Sequence, residues 1–155
     1  MPTTRVDRLS VSGVTRELLR QKGQFWTPDW IARAMLSYVL AGKPDSLFDP
    51  AVGTGIFFRL AKQFAQEKHF CLHLVGMEIE ANVLQEALKQ GLDSWDIASV
   101  TIGDFVLQPP QRRFPAIVAN PPYIRHHRLS IEKKEQLRQV SLNISGRILD
   151  GRAGL

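Results

Sequence analysis

The chain has 155 residues, of which 44% are apolar and 23% charged, and its net charge is +5. This composition predicts one globular domain and excludes a collagen-like or wholly disordered chain. No apolar run approaches the roughly 18 residues of a membrane span, and the first residues lack the apolar stretch of a signal peptide. The single cysteine, Cys71, excludes an internal disulfide. We therefore expect a cytoplasmic protein without membrane contact, and no metal site is predicted.

The charge is distributed unevenly along the chain. Residues 1–44 carry seven basic and three acidic side chains, residues 45–110 four and nine, and residues 111–155 nine and three. The basic flanks suit a polyanion, whereas the acidic middle suits a smaller or cationic ligand. For any single residue, solvated surface charge is the simpler interpretation.

Residues 1–23 are polar and basic, which predicts an N-terminal arm. The sequence Thr27-Pro28 predicts the start of a helix, with Thr27 as the N-cap and Pro28 at the first helical position. Apolar residues at helical spacing extend this helix to about Leu40, and Gly42 is a natural stop.

Beyond residue 45, strand and helix patterns alternate. Strands are predicted at residues 46–49, 72–78, 99–102 and 116–119, and helices at 56–67 and 81–90. The last strand, Ala116 to Ala119, is apolar on both faces, as a buried parallel strand should be. Strands that alternate with helices predict βαβ units, and hence an α/β fold with a parallel sheet.

Ligands of open parallel sheets bind beyond the carboxyl ends of the strands. Polar, turn-forming residues occupy all four of these positions: Asp49-Pro50-Ala51-Val52-Gly53-Thr54-Gly55, Glu78, Gly103-Asp104-Phe105 and Asn120-Pro121-Pro122-Tyr123. Gly53 and Gly55 let the backbone approach a ligand at the start of a helix. Because Phe58 replaces the third glycine of the dinucleotide fingerprint, a cofactor without pyrophosphate is favoured.

The next two strand ends suit an adenosine. A carboxylate at Glu78 can accept hydrogen bonds from both ribose hydroxyls. Asp104 can accept from an exocyclic amine, and Phe105 can pack on a purine face. The alternatives are a solvated carboxylate at Glu78, and a strand-end turn with a core phenylalanine at residues 104–105.

Asn120-Pro121-Pro122-Tyr123 is the most specific feature. The two prolines fix the backbone, so that the Asn120 side-chain oxygen and the Pro121 carbonyl can face one point, with the Tyr123 ring beside it. Two fixed acceptors that hold the hydrogens of a planar amino group favour a pyramidal nitrogen, whose lone pair can then react. The alternative is a rigid turn after a buried strand.

Together these motifs resemble the S-adenosyl-L-methionine-dependent DNA adenine-N6 methyltransferases in the gamma motif order, particularly large restriction-linked enzymes. The resemblance covers about residues 23–128 and implies a Rossmann-like fold, of which about four strands are present. Gly23-Gln24-Phe25-Trp26-Thr27-Pro28 resembles the element that holds the methionine end of the cofactor, with Phe25 and Thr27 as contacts. The resemblance further implies cofactor contacts from the strand-end residues Asp49, Pro50, Ala51, Gly53, Gly55, Glu78, Asp104 and Phe105. Asn120, Pro121, Pro122 and Tyr123 would form the catalytic tetrapeptide, which acts on a base turned out of double-stranded DNA.

In that family the chain continues through further strands and a target-recognition region. Residues 24–155 are therefore predicted to be part of a catalytic domain that is inactive alone and needs a C-terminal remainder or a specificity subunit. Its last predicted strand, residues 116–119, would be a sheet edge. Two alternatives stay open: methylation of a glutamine carboxamide in a protein, which also uses Asn-Pro-Pro-Tyr, and a non-catalytic cofactor-binding remnant or subunit.

The sequence supports weaker predictions for a histidine pair, a basic stretch and one tryptophan. A metal site at His126 and His127 is disfavoured, because adjacent histidines point in different directions. A basic stretch follows the tetrapeptide, and it suits either DNA-phosphate contacts or a solvated helix face. This stretch comprises Arg125, Arg128, Lys133, Lys134 and Arg138. Trp95 is predicted to serve in packing.

Overall fold

The computed structural model describes residues 26–123 and 129–148. Its elements, in chain order, are α1 (Asp29–Val39), β1 (Ser46–Asp49), α2 (Ile56–Glu67), β2 (His73–Glu78), α3 (Ala81–Lys89), α4 (Ser94–Ala98), β3 (Val100–Ile102), β4 (Ala116–Ile117) and α5 (Ile131–Ser145). The predicted alternation of strands and helices is confirmed. Within these two ranges, no helix is both long enough and apolar enough to cross a membrane.

The four strands form one parallel sheet in the order β3-β2-β1-β4. β1 is central, and all four of its residues are buried. Leu47 of β1 pairs with Leu74 on one side and with Ala116 on the other. Because every pair is parallel, the carboxyl ends of the strands lie at the same edge of the sheet, which we call the carboxyl edge.

Two apolar clusters hold the helices to the sheet. The larger joins α1 and α2 to β1 and β4 through Ala32, Leu36, Leu40, Leu47, Phe57, Leu60, Ala61, Ala116 and Val118. The smaller joins α3 to the segment after β1 through Val52, Phe58, Leu84, Ala87 and Leu92. Full burial of each large apolar side chain contributes about 1.5–3 kcal/mol, so these clusters stabilise the packing of the helices on the sheet.

The start of α1 differs from the prediction. Pro28 is the N-cap, and no side chain caps the helix there. The Pro28 carbonyl accepts from the backbone N–H groups of Ile31 and Ala32. Thr27 therefore lies one residue before the cap, and its hydroxyl bonds to a distant side chain, Asn120.

β4 is shorter than predicted and is not buried on both faces. It comprises only Ala116 and Ile117, and the Ile117 side chain is 56% exposed while Ala116 and Val118 are buried. The reason is that α1 and α2 pack on the face carrying Ala116, whereas Ile117 points to the opposite face and belongs to neither apolar cluster. The Val118 N–H still donates to the Phe48 carbonyl at 3.0 Å, which continues the pairing towards the carboxyl edge.

The prediction that Trp95 serves in packing is wrong, because this residue is 84% exposed. It lies on α4, a short helix that the sequence pattern did not predict. Asp93 caps α4 by accepting from the N–H groups of Trp95 and Asp96, while the Asp96 carboxylate accepts from the Asp93 N–H. Lys62 of α2 pairs with both carboxylates, which holds the capped end of α4 against α2.

Candidate active site

The topology brings the predicted strand-end motifs to the carboxyl edge. Glu78 ends β2 and Asp49 ends the neighbouring β1, whereas Asp104 and Asn120 follow the outer strands β3 and β4. Residues separated by up to 71 positions in the chain, from Asp49 to Asn120, thus line one edge. The order of the strands places Glu78 and Asp104 on one side of Asp49 and the tetrapeptide on the other.

The turn after β1 requires glycine at two positions. Gly53 and Gly55 have φ angles of +55° and +78°, in the left-handed region that other residues adopt at a cost. A Cβ atom at Gly55 would also collide with the Leu92 side chain. α2 starts directly after Gly55, so the positive end of its dipole faces the carboxyl edge. No acidic residue in its first turn compensates this positive end.

Glu78 is buried and holds the glycine turn in place. Its Oε2 accepts from the Gly53 N–H at 2.8 Å, and its Oε1 accepts from the Glu80 N–H at 2.9 Å. The sequence left open a ribose contact or a solvated carboxylate, and the burial of Glu78 contradicts the second. The bond to the turn was not predicted. Each oxygen retains a second lone pair, so the bracing bonds and a ligand bond are compatible.

Asp49 is the most deeply buried charged group of the described residues, with no exposed surface. Its Oδ1 accepts from the Ala51 N–H at 3.0 Å, but no described group donates to its Oδ2. Burial raises the pKa of Asp49 from 3.8 to about 7; the Ala51 hydrogen bond opposes this rise and the charge of Glu78 adds to it. The half-buried Pro50 and Ala51 complete the turn around this carboxyl.

Both carboxylate oxygens of Asp104 have partners within the chain. Its Oδ1 accepts from the N–H of Val106 at 2.9 Å and of Leu107 at 3.3 Å, and its Oδ2 pairs with Lys133 of α5. Partial burial acts to raise the pKa of Asp104, but the hydrogen bond and charge of Lys133, with the two backbone bonds, lower it overall. Lys133, predicted as a DNA or solvent contact, is therefore tied to the predicted adenine acceptor.

Phe105 lies beside this carboxylate and is 38% exposed. Its ring packs against that of Phe48, with a centroid separation of 5.9 Å, and Phe48 stacks in turn on Phe114 at 4.4 Å. The ring is thus supported from the core while part of it remains accessible. Both interpretations of Phe105, a core contact and a ligand face, agree with this position.

At the other side of the carboxyl edge, the Asn120 side chain is anchored through its nitrogen. Asn120 Nδ2 donates to the Thr27 hydroxyl at 2.9 Å, although 93 positions separate the two residues. Pro121 is exposed and Pro122 half-buried, and Tyr123 is 63% exposed. The arrangement presents the tetrapeptide at the surface, after the strand that neighbours β1.

Some of the predicted residues lie outside the described ranges. These are Phe25 of the cofactor set, the N-terminal arm 1–23, and Arg125, His126, His127 and Arg128. Of the remaining basic stretch, Arg138 pairs with Glu135 on the exposed surface of α5. No group of three or more metal-binding side chains occurs in the part of the chain that is described.

The fold matches that of known methyltransferases. The methyltransferase subunit of a type I restriction-modification system from Streptococcus thermophilus superposes with a TM-score of 0.53 and 22% sequence identity, covering 64% of this chain and 23% of that chain. The parallel sheet with flanking helices is therefore the Rossmann-like fold of the S-adenosylmethionine-dependent methyltransferases, as the resemblance predicted.

The sequence profile of the N-6 DNA Methylase family matches residues 11–146. The chain therefore belongs to this family. Curated relatives include the type II methyltransferase M.AccI of Acinetobacter calcoaceticus, with 24% identity over 90% of this chain and 25% of the relative. M.XamI of Xanthomonas campestris pv. amaranthicola has 32% identity over 68% of this chain and 20% of the relative. The chain thus spans a quarter or less of the length of these two relatives.

The carboxyl edge fits the predicted cofactor, S-adenosylmethionine, which the family assignment supports. This molecule carries a positive sulfonium and an ammonium group but no phosphate. Asp49 offers a buried oxygen that no described group bonds to, and the buried Glu78 adds a second negative charge. Lone carboxylates in a protein interior are costly unless a cation compensates them, so this donor set suits a cationic ligand.

Proposed function

We propose that this chain is the cofactor-binding and catalytic-loop part of a DNA methyltransferase that modifies the N6 amino group of adenine within a restriction-modification system. The observation that carries the proposal is the anchored amide of Asn120. Its nitrogen is engaged by Thr27, which leaves the amide oxygen as the acceptor. An oriented acceptor at the same sheet edge as a turn that suits a cationic ligand is the arrangement that methylation of a planar amine requires.

The cofactor side of the proposed site consists of Asp49, the glycine turn, Glu78 and Asp104. When bound, S-adenosylmethionine supplies an electrophilic methyl group. Asp49 would compensate positive charge on the ligand through the field of its buried carboxylate rather than by direct contact. Glu78 would accept from the ribose hydroxyls with the lone pairs that remain after it binds the Gly53 and Glu80 N–H groups. Asp104 would accept from the adenine amine of the cofactor, in exchange for Lys133.

On the substrate side, the residues of the chain prepare the acceptor nitrogen. Asn120 Oδ1 and the Pro121 carbonyl would accept the two hydrogens of the target amine, which withdraws the nitrogen lone pair from conjugation with the ring. The nitrogen, held by these two acceptors, would then be placed to take up the methyl group that the cofactor supplies. The surplus proton of the nitrogen leaves to solvent. Tyr123 would stack on the base once it has left the duplex.

The test is methyl transfer by the protein expressed from its complete reading frame. Labelled S-adenosylmethionine is incubated with duplex DNA, and the modified nucleoside is identified after digestion. The proposal predicts N6-methyladenine in DNA and no label in a protein substrate rich in glutamine. Label in glutamine side chains would instead support a carboxamide methyltransferase. Tight cofactor binding without transfer to either substrate would support a binding subunit.

The proposed partners are double-stranded DNA and a C-terminal remainder or specificity subunit. Because 155 residues span a quarter or less of M.AccI and M.XamI, we expect the chain alone to bind cofactor without methylating DNA. Calorimetric titration of the chain with S-adenosylmethionine and its demethylated product measures the first expectation. A chain that methylates a defined DNA sequence unaided would contradict the second.

A further inference from the structure

Thr27 and Asn120 form a hydrogen bond that connects two distant parts of the described chain. Asn120 Nδ2 donates to Thr27 Oγ1 at 2.9 Å, and both side chains are half-buried. Thr27 precedes α1, whose residue Leu36 belongs to the larger apolar cluster together with Leu40 just beyond the helix. The hydroxyl therefore lies at the start of an element that is packed against the core, which makes it a fixed point for the side chain of Asn120.

The two ends of an asparagine amide have opposite hydrogen-bonding character. The oxygen accepts, whereas the nitrogen carries two donors, and a half-turn of the side chain exchanges them. In the proposed reaction only the oxygen is useful, because a donor placed against the target amine would face its hydrogens. The backbone conformation does not determine which end of the Asn120 amide faces the target amine. Pro121 restricts the main chain of Asn120, and Val118 ties the preceding segment to β1, but neither fixes rotation of the amide.

We propose that Thr27 is a positioning residue that holds the Asn120 amide by its nitrogen, an inference that rests on the proposed methyl transfer. By accepting from Nδ2, the hydroxyl keeps the nitrogen turned towards α1 and the oxygen free for the target amine. The sequence resemblance assigned Thr27 to the cofactor instead. The two roles differ measurably, because a cofactor contact controls affinity for the cofactor, whereas a positioning residue controls the rate at saturating cofactor.

The first test needs no activity and uses the 155-residue chain. The sequence holds three asparagines, Asn82, Asn120 and Asn143, so selective ¹⁵N labelling gives three pairs of side-chain amide signals. Replacing Asn120 assigns its own pair. We expect Thr27→Val to shift the Asn120 pair and to accelerate its hydrogen exchange, while the other two pairs stay in place and report an intact fold. Thr27→Ser should keep the native Asn120 signals. Unchanged Asn120 signals in Thr27→Val would overturn the proposal.

The second test measures single-turnover methyl transfer in the protein from the complete reading frame. Thr27→Val should slow transfer at saturating cofactor about tenfold or more, because a loosely placed catalytic group costs rate rather than affinity. Cofactor affinity should change by less than about threefold, and Thr27→Ser should restore most of the rate. Ser37→Ala removes an exposed hydroxyl from α1 and is the matched control.

The outcomes separate the two proposals. A Thr27→Val protein that binds cofactor weakly but transfers at the native rate when saturated would make Thr27 a cofactor contact and overturn the positioning role. The positioning role is also overturned if Thr27→Ser is as slow as Thr27→Val. A wild-type protein that transfers no methyl group to DNA, with the Thr27-dependent amide signals intact, would overturn the proposed function and leave the contact itself established.

Discussion

The two sides of the carboxyl edge are built differently. On the cofactor side, Asp49 and Glu78 are buried and bonded to the backbone of the glycine turn, at the ends of two neighbouring strands. On the substrate side, β4 has two residues, and Ile117 and Tyr123 are 56% and 63% exposed. The tetrapeptide is anchored there by the side-chain bond from Asn120 to Thr27.

One side is therefore buried and braced by backbone hydrogen bonds, whereas the other side is exposed. The cofactor side has a core, backbone groups bonded to buried carboxylates, and a charge that a cation can compensate. The substrate side has the two-residue strand β4, followed by a tetrapeptide of which no residue is buried. We therefore expect substitutions on the cofactor side to act on binding and folding of this chain, and those on the substrate side to act on transfer in the whole protein.

The largest effect is expected from Asn120→Ala. In the protein from the complete reading frame it should slow methyl transfer about 10²-fold or more, because its partner amine gains most from the interaction in the transition state. Cofactor affinity, measured by calorimetry, should stay within a few-fold. Asn82→Ala, an exposed change on α3, is the control. Retention of more than about a tenth of the rate would argue against the amine-orienting role.

Glu78→Ala should have the next largest effect, a roughly 10- to 100-fold loss of S-adenosylmethionine affinity. It removes charge-assisted hydrogen bonds of about 1.5–3 kcal/mol each and releases the glycine turn that Glu78 braces. Glu86→Ala removes an exposed carboxylate paired with Lys89 and serves as the control. Equal losses from Glu78→Ala and from Lys133→Ala would rule out the ribose assignment.

The pH dependence of cofactor binding should identify Asp49. Because the pKa of this buried carboxyl is raised to about 7, the free chain is largely protonated there at about pH 6 and ionised at about pH 8. A cationic ligand binds the ionised form, so affinity should rise up to about tenfold between these pH values and then level off. Asp49→Asn should abolish the slope in calorimetric titrations. A slope that survives this substitution would contradict the assignment.

The same carboxyl affects stability in the opposite sense. Since its pKa is higher in the folded chain than the ordinary 3.8, the folded state holds this proton more tightly than the unfolded state. The stability that this carboxyl contributes is therefore present at acidic pH and is lost as pH rises from about 4 to about 7. Each unit of difference between the folded and unfolded pKa corresponds to about 1.4 kcal/mol of folding stability. Chemical denaturation of wild type and Asp49→Asn at about pH 5 and pH 8 measures it. The free energy of unfolding of the variant should exceed that of wild type by more at about pH 8 than at about pH 5.

Lys133→Met should give the smallest effect, a few-fold gain in cofactor affinity. Lys133 occupies the oxygen of Asp104 that the cofactor amine would use, and a partly exposed ion pair contributes only about 0–1 kcal/mol. Methionine preserves length and removes the charge. Arg138→Met, on the exposed part of α5, controls for lost net charge. Weaker binding in Lys133→Met would show that this lysine helps the cofactor rather than competing with it.

The sequence predicted the cofactor side better than the substrate side. The strand Ser46–Asp49 and the helix Ile56–Glu67 match the structure, because strand and helix periods there agree with burial on a central strand. The edge position of β4 was predicted, but its end and the exposure of Ile117 were missed, since an apolar run does not reveal which face of a strand other elements cover.

Contacts between residues far apart in the sequence were also not predicted. Nothing in the local pattern of Thr27 or Asp104 indicates Asn120 or Lys133 as a partner, because only the folded sheet brings them together. One local sequence signal could have predicted α4. The pair Asp93 and Asp96 has the spacing of a reciprocal helix cap, and it marks α4 and the exposed position of Trp95.

The bond between Thr27 and Asn120 also has a consequence for how the molecule folds. It closes a segment of 93 positions that contains all four strands. The entropy of closing so long a loop is recovered only after the strands have paired, so this contact belongs among the last to form. The orientation of the tetrapeptide amide thereby reports that the four described strands have paired, because a chain with a misplaced strand lacks the bond.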